Sequence, residues 1–578
     1  MKLVAAMVHK NIPLSFADEL SPLIPELFHD SKIASKYGCK RMKATNILNE
    51  ALMPHFKSQI VQDMRRKPFS ISTDGSNDNG LLKLNPIGVK MFDFEEGKIM
   101  SQVLDMGLTE SGTAEAIFNK VDSVLQENNI DWKNCTSLGV DNTNTNVGNR
   151  NSVKTRVLKK NDSIFIAGCP CHMLHNTASK GSVAFTSVLK FDVEDMCIDL
   201  FHWFDKSTKR KQELLEFCLF CDTEYLEIVK HISIRWLSLE KAVTRILKEF
   251  QALKSYFQSN DLSNERFKRL SKMFRNPLCE VILLFYQHVL QQFVNCNKFL
   301  QSEKPLIPIL HDTLSNFVET LGASFLDVRK LKEVGINDIN PEDEEFQVPK
   351  ENINVGFVTS MKVRELVNEG YQPEVSRFQE AVQKYHITCF AYAKKTLPLN
   401  DELLINAKFI DVKNREKVNF SKVQYFVERF PILSCYKEPE MYQLLMKEFL
   451  DFQLLRDNDI KDVLECSDLG KAWKLLYDMK SDVTNVKKFS CLSKVVETIL
   501  VIPNSNAQSE RIFSMINKNL TKSRPNLDKE RTVNSILMTK CALDNIGSFE
   551  PSKDLLVKAK KACVSYNKKC TESKEGNM

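Results

Sequence analysis

Apolar positions in the first 67 residues recur at helical spacing, in Phe16, Leu20, Leu23, Ile24 and Leu27 and again in Ile47, Leu48, Leu52 and Phe56. This predicts a helical lead-in segment over residues 1–67. At Pro68 the texture changes to short runs rich in strand formers: FSIST, then LLKLNPIGVKMFDF, then KIMSQVLDMGL. Turn residues separate them at Asp78, Asn79 and Gly80 and at Glu95, Glu96 and Gly97, so three consecutive strands in a meander are expected. Ala116, Ile117, Val121, Val124 and Leu125 then fall on one face of a helix predicted from Thr113 to Glu127. A strand ending at Val140 and Asp141, a basic helix near Ser152 to Lys160 and the apolar run SIFIAG before GCPCHMLHN complete the series.

The resulting order β, β, β, α, β, α, β is that of a ribonuclease H-like core. From about Phe191 to Lys488 the spacing is helical almost throughout, which reads as a large all-helical insertion. The acidic stretch NDINPEDEEFQVPKENIN, residues 337–354, is expected to be a mobile loop within it. The chain turns apolar again in LSKVVETILVIP, and Ser505 with Gln508 three residues on is a capping-box signature for a new helix. Ile512, Phe513, Ile516 and Leu520 form that helix's apolar stripe, and Glu510 projects from a different side. The expected fold class is α/β plus α, a ribonuclease H-like mixed sheet whose core is completed by C-terminal helices. Four segments follow: 1–67, the lead-in; 68–190, the first part of the core; 191–490, the insertion; and 491–578, the return to the core.

Composition narrows the chemistry. A chain of 578 residues with 43% hydrophobic and 27% charged positions has ample core and the balance of an ordered globular protein. The net charge of +6 is mild for this length, so a surface for nucleic acid has to come from local clusters. Candidates are Arg65 to Lys67; Arg150, Lys154, Arg156, Lys159 and Lys160; Lys206, Lys209, Arg210 and Lys211; and the tail from Lys558 to Lys569. Sixteen scattered cysteines lack the spacing of a secreted disulfide framework, which favours a reducing compartment. No run of about twenty apolar residues occurs, so no membrane span is expected.

Three carboxylates stand in distinctive settings: Asp74 in FSISTDGSND, Asp141 in TSLGVDNTNTNVG and Glu510 in PNSNAQSERIFSMINKNL. Two acids at strand ends and a third from a distant helix are the oxygen donors that a two-metal phosphoryl-transfer centre requires. The other reading of Asp74 and Asp141 is that of turn or helix caps. Cys169, Cys171, His172 and His175 supply soft ligands, but C-x-C-H-x-x-H is not a closed zinc spacing.

These residues resemble the hAT superfamily of DNA transposases, in particular transposon-derived animal proteins. The resemblance runs over nearly the whole chain and is carried by STDGS, GVDNT, the Cys169-x-x-His172 motif, the Arg235-Trp236-x-Ser238 motif in HISIRWLSLE, and SNAQSERIFSMINKNLTKSRPNL. It implies catalytic and metal-binding roles for Asp74, Asp141 and Glu510, which would bind two divalent ions, Mg²⁺ or Mn²⁺, for cleavage and strand transfer. It also implies that Trp236 stacks on a flipped base beside Arg235, and that His172 contacts DNA or supports the carboxylates next to Cys169, a structural feature. Lys154 and Arg156 are further candidates for DNA phosphates. DNA is the implied partner, the nucleus the implied location, and the C-terminal region the implied seat of a homodimer or higher homo-oligomer.

Complete hAT transposases usually begin with a BED-type zinc finger, whereas no C-x-x-C with H-x₃₋₅-H precedes the acids here. End recognition through such a finger is therefore not expected. Two readings stay open: a metal-dependent DNA transposase or nuclease, and a domesticated nuclear interaction protein with idle acids. A hydrolase of RNA–DNA hybrids shares the core but requires neither the insertion nor a dimer module.

Overall fold

The computed structural model describes the chain outside residues 76–81, 233–236, 260–262, 482–484, 522–526, 544 and 576–578. The chain is a mixed α/β protein, 66% helical with a small mixed sheet. It forms two compact units. The first comprises Met1–Cys169, Glu303–Pro308 and Glu402–Met578; the second comprises Pro170–Ser302 and Ile309–Asp401.

Among the described residues of the first unit, seven strands form: β1 (Phe69–Ser72), β2 (Lys83–Leu84), β3 (Ile87–Asp93), β4 (Lys98–Asp105), β5 (Leu108–Thr109), β6 (Cys135–Val140) and β7 (Phe165–Gly168). Five of them make one sheet in the order β4-β3-β1-β6-β7. β3 runs antiparallel to both β1 and β4, while β6 is parallel to both β1 and β7. β1 and β6 are buried along their whole length. Strands covered on both faces read as unbroken apolar and small-residue runs, and FSIS and CTSLGV do so.

The run LLKLNPIGVKMFDF is not one strand. Asn85 and Pro86 interrupt it, and β2 leaves to pair with β5 in a separate two-stranded sheet. The break is fixed from the other side by Gly107, whose φ is +58° and whose added Cβ would lie 1.8 Å from the carbonyl oxygen of Asn85. Only glycine permits that approach.

The helix Ala114–Glu127 starts at Thr113, whose Oγ1 accepts from Ala116 N at 3.3 Å, and buries Ile117, Val121, Val124 and Leu125 against the sheet core. The same core holds Ile60 and Met64 from the helix Met53–Met64, together with Ile512, Ile516 and Leu537 from far along the chain. A second cluster joins Val4, Met7, Ile47 and Leu52 of the lead-in to Ile536 and Leu555 near the C-terminus. The lead-in stripe of Ile47, Leu48, Leu52 and Phe56 is therefore covered within its own unit, whereas Leu23 and Leu27 of the stripe before it are exposed.

The second unit is helical. The helices Pro170–Leu189 and Gln372–Thr396 approach so closely at Gly181 that an added Cβ would meet Cys389 Sγ at 2.3 Å. Phe185, Phe285, Tyr286, Phe378 and Tyr385 pack around that contact, mostly edge to face. Residues 337–354, expected as a mobile loop, are held in place. Ile339 and Ile353 are buried, two 3₁₀ turns form at Glu344–Phe346 and Lys350–Asn352, and Gln347 bridges to Leu326. The buried isoleucines outweigh the acidic composition that suggested disorder.

Candidate functional site

Ser72, the last residue of β1, is the parallel register partner of Gly139 in β6. The pairing continues one step further, because Thr73 N donates to Gly139 O at 3.1 Å. Asp74 and Asp141 leave these neighbouring strands two residues beyond the Ser72 and Gly139 partners, at the same sheet end, and both are half-buried.

Asp141 also serves as a local cap. Its Oδ1 accepts from Thr143 N at 3.0 Å, Thr143 Oγ1 at 2.7 Å and Asn146 Nδ2 at 2.6 Å. Those bonds fix the carboxylate's orientation. Next to it, Asn142 Nδ2 donates to Cys169 O at 2.8 Å, and Cys169 Sγ accepts from Asn506 N at 3.4 Å. Buried Cys169 thus links the residue after Asp141 to the start of the helix that carries Glu510.

That helix, Ala507–Asn519, has Asn506 at its N-terminus without a side-chain cap, so the expected Ser505–Gln508 capping box does not form. Gln508 reaches across to the sheet instead. Its Oε1 accepts from Ser72 Oγ at 3.1 Å, and its Nε2 donates to the carbonyls of Val89 and Gln102, each at 3.2 Å. Asn506 Nδ2 reaches Thr73 O at 3.5 Å. Ile512 and Ile516 face the core and Glu510 is half-buried. Arg511 pairs with Glu303 at 3.1 Å, and burial first, then Arg511, pushes Lys90 of β3 down to about 8. These two cations accompany the Glu510 segment, a feature that the sequence reading missed because Lys90 lies inside a strand.

The donor chemistry suits a divalent cation, since Asp74 and Asp141 are hard oxygen donors on register-paired strands. Among the described residues, however, no group of three or more His, Cys, Asp or Glu side chains stands ready to hold a metal ion. The structure brings the segments bearing the three acids to one sheet end without gathering the carboxylates into such a group.

Lys154 and Arg156 lie on the helix Val153–Leu158, where Arg156 bonds Asn151 at 3.0 Å and approaches Glu115 at 3.7 Å. In the basic run 206–211, Arg210 lies 3.5 Å from the ring centroid of buried Trp203 and donates to its carbonyl at 2.9 Å. Its guanidinium covers the Trp203 ring. Arg235 and Trp236 fall outside the described residues.

His172 belongs to the second unit, in the first turns of the helix Pro170–Leu189. Three residues on, His175 is pushed down to about 4, mainly by burial, with His172 adding to the fall and Glu194 opposing it. His231 lies between Glu194, at 3.2 Å, and Ser238 Oγ, at 2.9 Å. No described helix is long and apolar enough to cross a membrane.

Residues 446–543 match the hAT family C-terminal dimerisation region. The matched segment contains the Gln508-anchored helix and Glu510 and lies within the first unit. Over that segment the chain is similar to hAT-type, transposase-derived proteins.

Proposed function

We propose that this protein acts on DNA as a hAT-type transposase, assembled as a homodimer through its C-terminal region, and cuts phosphodiester bonds at a site of Asp74, Asp141 and Glu510. The observation that carries this reading is the Ser72–Gly139 register, which sends Asp74 and Asp141 off adjacent strands at one end. The sheet order β4-β3-β1-β6-β7, antiparallel on one side and parallel on the other, supports a ribonuclease H-like core. Gln508 and Cys169 support delivery of Glu510 to that end.

Asp74 and Asp141 would hold Mg²⁺ or Mn²⁺ with Glu510 as third carboxylate, and the bound ion supplies Lewis-acid polarisation of a phosphoryl oxygen. Thr143 and Asn146 orient Asp141, while Gln508 fixes the helix bearing Glu510. Lys154 and Arg156, downstream of Asp141, are suited to positioning DNA phosphates, which carries no sequence information. Nuclear residence follows from the DNA substrate.

A second reading, a domesticated interaction protein with idle acids, is favoured by the three local donors on Asp141 Oδ1, the pattern of a structural cap. Purified protein incubated with DNA and Mg²⁺ or Mn²⁺ separates the two. Nicking by the native chain, lost in Asp74→Asn and in Glu510→Gln, supports the enzyme. No nicking with either ion from a folded dimer leaves the interaction reading.

A further inference from the structure

The helix Pro439–Gln453 carries apolar side chains on two opposite sides. One side belongs to its own unit: Leu445, Phe449 and Phe452 are buried. Glu448 beside them accepts from the backbone N–H groups of Cys491 and Leu492 at 2.8 and 2.7 Å, which ties this helix to the start of Ser490–Leu500. The other side is a stripe in solvent. Met446 and Leu450, with Leu454 as the helical-backbone residue capping the C-terminal end, recur every four residues and are 43%, 48% and 76% exposed. At roughly 100° per residue they span an arc of about 80°, centred about 150° from the buried face.

Single exposed hydrophobic residues are ordinary, but a continuous stripe along a helix calls for a partner. The matched dimerisation region begins at Met446, the first residue of this stripe. Among the described residues of that region, the other exposed large apolar side chains, Leu475 and Val486, do not extend it along the helix.

We infer that the Met446–Leu450–Leu454 stripe is a contact surface between two copies of this chain, the two helices packing antiparallel about a two-fold axis at Leu450. The two-fold makes the contact isologous. Leu450 meets Leu450, and Met446 of one copy meets Leu454 of the other. Four-residue ridges of this kind interdigitate well between paired helices. The stripe is about 12 Å long, well short of a standard interface, so it is one part of a larger contact. The inference rests on the proposed homodimer and assigns it a helix face.

Sedimentation velocity on the full chain tests it. The native protein is expected to be a dimer, and Met446→Asp with Leu450→Asp is expected to weaken association at least about tenfold with unchanged far-UV circular dichroism. Val183→Asp, exposed on the second unit, is expected to leave it unchanged. A native monomer overturns both the dimer and its assigned face. A double variant that associates like the native chain overturns the face alone. If the aspartate variants do not fold, Leu450→Cys decides: mild oxidation is expected to link two copies through this position, and a dimeric Leu450→Cys protein without that link contradicts the two-fold packing.

Discussion

Ser72 Oγ donates to Gln508 Oε1 at 3.1 Å across 436 residues of sequence. The contact locks the helix that carries Glu510 onto the central strand that leads to Asp74. Because Gln508 also satisfies the carbonyls of Val89 and Gln102, Gln508→Ala removes partners from several buried polar groups at once. A loss of about 1–3 kcal/mol is expected, measured by urea unfolding. Gln508→Glu, which replaces the amide donors with a buried charge, is expected to cost more.

Glu249 gives the second unit a defined pH response. It is fully buried between the helices Leu237–Lys248 and Phe250–Ser259, and burial pushes its carboxyl up to about 7, although Leu226 N and Arg245 pull it down. A folded value above the ordinary one of 4.5 means that the protonated acid favours the native state. Its contribution is therefore complete below pH 4.5 and is lost as pH rises through 7. Glu249→Gln is expected to remove a component on the order of 2–3 kcal/mol from the pH dependence over that window. Thermal unfolding of both proteins from pH 4.5 to 8 measures it; parallel curves would exclude Glu249 as the titrating group.

Arg210 separates structural from solvent-facing charge in the basic run 206–211. Since its guanidinium covers Trp203, Arg210→Ala is expected to lower stability by about 1–2 kcal/mol and to leave the salt dependence of any DNA binding unchanged. Exposed Lys209, by contrast, is expected to affect stability little. Chemical unfolding together with DNA titration at two salt concentrations checks both expectations.

Much of the strand and helix series was legible because burial imposes a period. FSIST and TSLGV announced β1 and β6 through their composition, and Ile117, Val121 and Val124 announced the helix between β5 and β6. Other features were hidden because they depend on distant partners. The Ser505–Gln508 spacing has the form of a local cap, yet Gln508 finds buried acceptors on β3 and β4 and no cap forms. Asn85 and Pro86 looked like part of a strand, and only the close approach of Gly107 shows why the chain breaks there. Helical periodicity reveals that a face is buried but not what covers it, so the inclusion of Glu402 and the following residues in the first unit could not be read from the sequence. For the candidate site, the acids were legible as residues. Their common sheet end depended on strand register, and the roles of Cys169, Gln508 and Lys90 depended on contacts that no motif encodes.

The central claim is that Asp74, Asp141 and Glu510 serve one cation site, and affinity cleavage tests it most directly. Fe²⁺ replacing Mg²⁺, with ascorbate and peroxide, cuts the backbone beside the groups that hold it. Cuts close to residues 74, 141 and 510, lost together in Asp141→Asn, are expected. Cleavage confined to one of the three, or cleavage that survives the substitution, would contradict a shared site.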